Sequence, residues 1–251
     1  MKKLAFVFVF IVTMINASFG QKFGEDSLAC VEKLSLYIED YKLWTEGTGN
    51  DATMKNMINS WRWCFFNCPE ASQNIYIHGV KIINHMISSA KNPQVKNKLI
   101  DTLMMVYDQR IKLFDNEGMV LGRKGVDLYK LRPESYETAY NDLKKSVELE
   151  GNESNSAVLV YYFRLAIKRV TAGLDDPSVI VDVYDQISEI IDYNIKNNPS
   201  RKADFENTKG NIMTNFFASK EILGLFIVSS SNAYLFDPKP LTSIPYFHHY
   251  P

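Results

Sequence analysis

From Ser27 onward the apolar positions of this chain recur at intervals of three and four, with charged and amide side chains between them. In "VIVDVYDQISEIIDYNI", Ile180, Val183, Tyr184, Ile187, Ile190 and Ile191 fall on one stripe of a helix with a period near 3.6. "LIDTLMMVYDQRIKLF" does the same with Leu99, Leu103, Val106, Tyr107, Ile111 and Phe114. "SAVLVYYFRLAIKRV" carries an unbroken apolar run from Val158 to Phe163, which alone would also suit a buried strand. Its length, and the Leu165, Ala166 and Val170 that follow, predict a helix buried on more than one side. Clusters of turn formers punctuate the series: "WTEGTGN", "NCPEAS", "AKNPQ", "DNEG", "LRPES", "EGNESNS", "AGLDDPS" and "NNPSR". No run of alternating strand residues precedes the tail.

The predicted helices fall into pairs, 27–44 with 52–67, 74–90 with 94–115, 118–131 with 133–150, and 155–172 with 177–196. Their second members start near 52, 94, 133 and 177, at intervals of 42, 39 and 44. Two helices recurring about every 40 residues predict an all-α solenoid of about four hairpins. An amphipathic stretch over 199–217 would cap it. "YETAYNDLKKSVELEG" shows how such an array packs. Ala139 and Ser146 are small, and helix axes come within about 8–10 Å only where the side chains at the crossing allow it. Leu143 fills the space between them. Met57, Trp61 and Cys64, and again Ile180, Tyr184 and Ile187, repeat the four-then-three spacing with larger side chains.

At these residues the chain resembles the tetratricopeptide-repeat (TPR) family. Tyr136, Ala139, Leu143, Ser146 and the breaker Gly151 match that family's second-helix pattern, and Tyr129 sits where its first helix presents an aromatic. The first unit fits more loosely, through Leu34, Tyr37, Tyr41, Met57, Trp61, Cys64 and Pro69. "WRWCFFNCPEASQNIYIHGVKI" and the later units resemble secreted TPR-like proteins of Gram-negative bacteria, over roughly residues 30–216. Two features depart from the pattern. "WTEGTGN" lengthens the first inter-helix loop, and the repeat exceeds the family's usual length of about 34. Other helical-hairpin solenoids fit that length as well. The resemblance implies an adaptor whose groove, lined by first helices, holds a peptide or a partner protein. It brings no catalytic residue and no cofactor. The expected function is therefore a scaffold for protein–protein interaction, not an enzyme. The alternative is a small-ligand or glycan-binding accessory protein, since a helical groove rich in tyrosine could accept sugars.

The ends of the chain bear on location. "MKKLAFVFVFIVTMINASFGQ" has two lysines, an apolar run from Leu4 to Ile15, and Ser18-Phe19-Gly20 before Gln21. That is the layout of a signal peptide over residues 1–20, too short in its apolar part for a span of about 20 residues. "SLAC", Ser27 to Cys30, looks like a lipoprotein box, but Lys22, Glu25 and Asp26 separate it from the apolar run. The expected product is exported to the periplasm, the cell surface or beyond, with no stable membrane span after cleavage. Its partner would be an envelope protein or peptide. The helical domain is placed at 21–225 and an irregular tail at 226–251. In that tail Asp237 and Lys239 are the only formal charges, among Pro238, Pro240, Pro245 and Pro251. The tail reads equally as an extended arm packing on the last helix or on a partner, and as the product of a truncation or frameshift near Phe217. Lys and Arg number 28 against 29 Asp and Glu, so no net charge draws the chain to nucleic acid, which is excluded as a partner.

Candidate chemistry is sparse. Cys30, Cys64 and Cys68 are the three cysteines. Cys30 lies near the start of the first helix and Cys68 at the end of the second, ends that are neighbours in an antiparallel hairpin. A Cys30–Cys68 disulfide is therefore expected, with Cys64 left as a buried thiol. Cys64 and Cys68, one turn apart on one helix, are poorly placed to join. His78 and His85 share a helix face but have no carboxylate or cysteine beside them, so no metal is expected there. His248 and His249 lie in the tail. No phosphate loop, H-E-x-x-H, G-x-S-x-G or GxGxxG occurs; "GMVLGRKG" is read as the opening of a helix with Arg123 and Lys124 in solvent. Asp175 and Asp176 precede Pro177 and suit a helix start. Arg62, Trp63 and Phe66 fall off the stripe of Trp61, Cys64 and Cys68, which makes them the candidate partner-binding patch, unless they pack on the second unit.

Overall fold

Most of the helices begin where a short polar side chain can take up their first backbone N–H groups. The computed structural model describes residues 22–223 and, among these, nine α-helices and no strand. In the first, α1 (Ser27–Thr45), Asp26 accepts from the Ala29 N–H. At α2 (Asp51–Asn67), Asn50 and Thr53 form a reciprocal capping box. α3 spans Asn74–Ser89, and α4 (Pro93–Leu113) starts on Asn92, which accepts from Gln94 and Val95. α5 (Glu117–Leu131) leads through a 3-10 turn at Pro133–Ser135 into α6 (Tyr136–Glu150). Asn155 caps α7 (Ser156–Thr171), and the Asp176 carboxylate accepts from Ser178 at the start of α8 (Ser178–Asn197). α9 covers Lys202–Leu223.

The helices fall where the periodicity places them, with two differences. The stretch before Tyr136 closes as a 3-10 turn, in which the Ser135 N–H donates to the Arg132 carbonyl at 2.9 Å. The last helix starts later than 199 and runs beyond 217 to Leu223. The predicted signal peptide at 1–20 and the tail at 226–251, with His248 and His249, lie outside the described residues.

Consecutive helices pack as hairpins, α1 on α2, α3 on α4, α5 on α6 and α7 on α8, with α9 closing against both α7 and α8. First helices also meet one another: α5 touches α7, and α7 touches α9. The result is an all-α, solenoid-like array. Its core runs along the chain in two neighbouring clusters, one from Cys30 to Val120 and the other from Val126 to Phe216, and Met104 packs against both. α7 is buried on several sides, as its apolar run predicts, with Val158, Leu159, Tyr162, Phe163, Leu165, Ala166 and Val170 all inside.

Close approach without side chains governs two of the crossings. Small residues line the α5–α6 contact on both helices. A Cβ built on Gly125 would lie 2.7 Å from Leu143 Cγ and 3.0 Å from the Ala139 carbonyl. One built on Gly122 would meet Ser146 Oγ at 2.7 Å and Val158 Cγ2, on α7, at 2.8 Å. The glycines of "GMVLGRKG" are thus a packing row. Arg123 of that stretch is exposed, but Lys124 is not the solvated residue expected. It is drawn inward by Asp108 at 2.7 Å and Asp142 at 3.4 Å. Between α2 and α3 the same principle acts through Gly79, whose missing side chain makes room for the Trp61 indole. Trp61, 1% exposed, donates from Nε1 to the Ile75 carbonyl at 2.7 Å.

Candidate partner-binding surfaces

The N-terminal hairpin is closed covalently. Cys30 on α1 is joined to Cys68 at the end of α2, with the two Cα atoms 6.1 Å apart. Cys64 is left as a buried thiol, pushed up to about 11 by burial, so it is not a reactive nucleophile at neutral pH. A disulfide of this kind points to an oxidising, non-cytoplasmic compartment. Among the described residues no helix is long and apolar enough to cross a membrane.

Off the buried stripe of α2, Arg62 and Phe66 are exposed, Phe66 by 61%. The Phe66 ring rests edge-on against Phe65, with centroids 5.0 Å apart. Trp63 is half-buried and packs against the N-terminal core. The three share one side of the helix, Arg62 and Phe66 exposed and Trp63 half-buried.

His78 and His85 are separate in environment as well as in sequence. His78 stacks on Tyr41 at 3.8 Å with the rings nearly parallel, and meets Tyr37 edge-on. Burial, and secondarily Lys81, holds its imidazole below the usual histidine range. His85 is exposed and meets Trp44 edge-on at 5.3 Å. Among the described residues no cluster of three His, Cys, Asp or Glu side chains could hold a metal ion. Of the acidic pair before α8, Asp176 caps the helix, whereas Asp175 makes two hydrogen bonds with Arg169, at 2.6 and 2.9 Å. Those bonds hold the Asp175 carboxyl below the usual carboxylate range.

Two surface features stand out. The first is a groove of about 590 Å³ between α4, α5 and the start of α6. Met104, Met105 and Leu128 give it an apolar lining, and Asp101, Asp108, Lys112, Lys124 and Arg132 are its charged members. All of these but Lys112 are already engaged: Lys124 with Asp108 and with Asp142, Arg132 with Asp101 at 2.8 Å. Burial raises the Asp142 carboxyl against the pull of Lys124, whose ammonium lies near enough to attract it but not aligned for a hydrogen bond.

The second lies across the first helices of the third and fourth units. Tyr129 of α5 and Tyr161 of α7 meet edge-on at 6.1 Å. The Lys168 ammonium sits 4.4 Å from the Tyr136 ring centre and 5.2 Å from that of Tyr129, and donates to the Pro133 carbonyl at 3.2 Å. Lys130 and Arg164 both lie over Tyr161, at 5.3 and 5.8 Å. Arg164 then reaches α9, donating to Asn211 Oδ1 at 3.3 Å. No protein-family model, curated protein or solved structure matches this chain. The functional reading therefore rests on geometry. Sequence reasoning singled out Tyr129 and Tyr136 for their place in the repeat and passed over Lys130, Tyr161, Arg164 and Lys168. The signal available was the spacing of Tyr161, Arg164 and Lys168 at three and four along one helix face.

Proposed function

We propose that this protein is an exported, TPR-like helical scaffold that binds a protein or peptide partner in the cell envelope and works by binding, without catalysis. The observation that carries the reading is the continuity of the first-helix surface. α5, α7 and α9 touch in succession, and Tyr129–Tyr161 and Arg164–Asn211 tie their outward sides into one ledge. A ledge that crosses several helices offers contacts at regular intervals to an extended segment, as stacked helical repeats do. Export is supported by the signal-peptide pattern of residues 1–20 together with the disulfide.

The test is site-specific photo-crosslinking in envelope preparations. A benzoylphenylalanine at Tyr161 should yield a discrete protein adduct, and the same probe at Asn141, on the second helix of the third unit, should not. Absence of an adduct from Tyr161, or equal adducts from both positions, would overturn the scaffold reading.

A further inference from the structure

We infer that the partner segment taken by this ledge is acidic, its Asp or Glu carboxylates seated on Lys130, Arg164 and Lys168. The inference rests on the scaffold reading and adds the chemistry of what is bound.

Three observations carry it. First, none of these three cations has a carboxylate within ion-pair distance among the described residues. Several other cations of the same units are neutralised, Lys124 by Asp108, Arg132 by Asp101, Lys145 by Glu117 and Arg169 by Asp175, whereas Arg123, Lys144 and Lys196 likewise lack an ion pair among the described residues but have no ring beneath them. Asp127, one turn before Lys130, is taken by the Tyr107 hydroxyl at 2.7 Å; Glu134 and Glu137 are exposed, Glu137 lying 3.7 Å from Arg169 and Glu134 without an ion pair. The ledge therefore presents three cations that no carboxylate of the described residues pairs with.

Second, the cations are held in place. Lys168 is half-buried, bracketed by two tyrosine rings and tied to a backbone carbonyl, while Lys130 and Arg164 share the Tyr161 ring. Side chains fixed beforehand lose little conformational freedom when a ligand arrives, which separates them from ordinary surface lysines. Arg164 keeps further N–H donors beyond the one given to Asn211, and a guanidinium matches a carboxylate in plane.

Third, the arrangement is unsuited to a neutral sugar. Sugars stack on open aromatic faces, and here the rings of Tyr129, Tyr136 and Tyr161 already carry ammonium or guanidinium groups. An acidic peptide uses those cations, whereas a sugar would have to displace them.

The probe is fluorescein-labelled octaglutamate, read by anisotropy against the mature chain from Gln21 at low salt. Wild-type protein should bind it, and binding should weaken as salt rises. Lys130→Gln/Arg164→Gln/Lys168→Gln should weaken it by about tenfold or more, with helical circular dichroism unchanged. Tyr129→Leu/Tyr136→Leu, which keeps every charge but releases Lys168, should weaken it by about threefold. Lys145→Gln, whose cation is already paired with Glu117, should leave it unchanged. Equal affinity in the wild type and the triple variant would overturn the inference. So would a thermal shift with neutral maltoheptaose that the triple variant abolishes. The two levels separate cleanly. If the Tyr161 crosslink persists at full yield in the triple variant, the scaffold stands and the acidic partner is refuted. If no crosslink forms in wild type, the scaffold itself is refuted.

Discussion

Replacing Gly122 by alanine measures how closely α5, α6 and α7 are packed. Alanine in a helix interior is favoured over glycine by about 0.5–1 kcal/mol, so in open space the change stabilises. Gly210 of α9 supplies that reference: an added Cβ there meets nothing within 4 Å. At Gly122 the new methyl would sit 2.7 Å from Ser146 Oγ and 2.8 Å from Val158 Cγ2. The serine hydroxyl can rotate away, but the valine is β-branched, stiff and largely buried in the core of α7. Overpacking of this kind costs about 1–3 kcal/mol, leaving a net loss of up to about 2.5 kcal/mol once the helical preference is subtracted. Urea unfolding followed by circular dichroism should thus place the Gly122→Ala midpoint below wild type and the Gly210→Ala midpoint above it. For a chain of this size the melting temperature should move by about 2–4 °C per kcal/mol. The loss in Gly122→Ala/Val158→Ala should be smaller than the sum of the two single losses, a coupling expected only for residues in contact. If Gly122→Ala stabilises as much as Gly210→Ala, the three-helix approach described here is wrong.

Three further outcomes follow from other contacts. The disulfide spans a sequence separation of 38, so reduction or Cys30→Ala/Cys68→Ala should cost up to about 4 kcal/mol. Dithiothreitol should lower the urea midpoint of wild type and not of the double variant; no effect on wild type would mean the bond adds nothing to stability. Trp61→Phe removes the buried bond to the Ile75 carbonyl and leaves space over Gly79, a loss of about 2 kcal/mol that an unchanged midpoint would contradict. His78 is a base whose folded pKa lies below its unfolded value, so the unfolded chain takes up the proton first on acidification. Its contribution is fully present above the unfolded value of about 6.5 and is lost as pH falls from there through the lowered folded value. The stability difference between pH 7 and pH 5 should therefore be smaller in His78→Phe than in wild type, and an unchanged difference would assign the pH dependence to other groups.

Much of the architecture could be read directly from the chain. Helix positions followed from the three-and-four spacing and from the turn-forming clusters between them, because both signals are local. The Cys30–Cys68 bond followed from one topological step, the adjacency of opposite ends in an antiparallel hairpin. Ala139 and Ser146 announced a close crossing, but not that Gly122 and Gly125 would supply its other side. In the candidate patch Arg62 and Phe66 are exposed, and Trp63 is half-buried against the core, a difference that the off-stripe positions did not reveal.

The helices and the faces they bury are legible in the chain because they depend on periodicity within about twenty residues, and their hairpin pairing follows from the repeat of about 40. Which polar groups meet is settled by the packed fold. It drew Lys124 inward onto Asp108 and Asp142, and it brought Lys168 between Tyr129 and Tyr136. It also laid Lys130 and Arg164 over one ring. Those meetings depend on how far each hairpin is rotated against the next. The rotation is set by the fit of glycines, alanines and large apolar side chains at the crossings, summed over residues far apart in the chain.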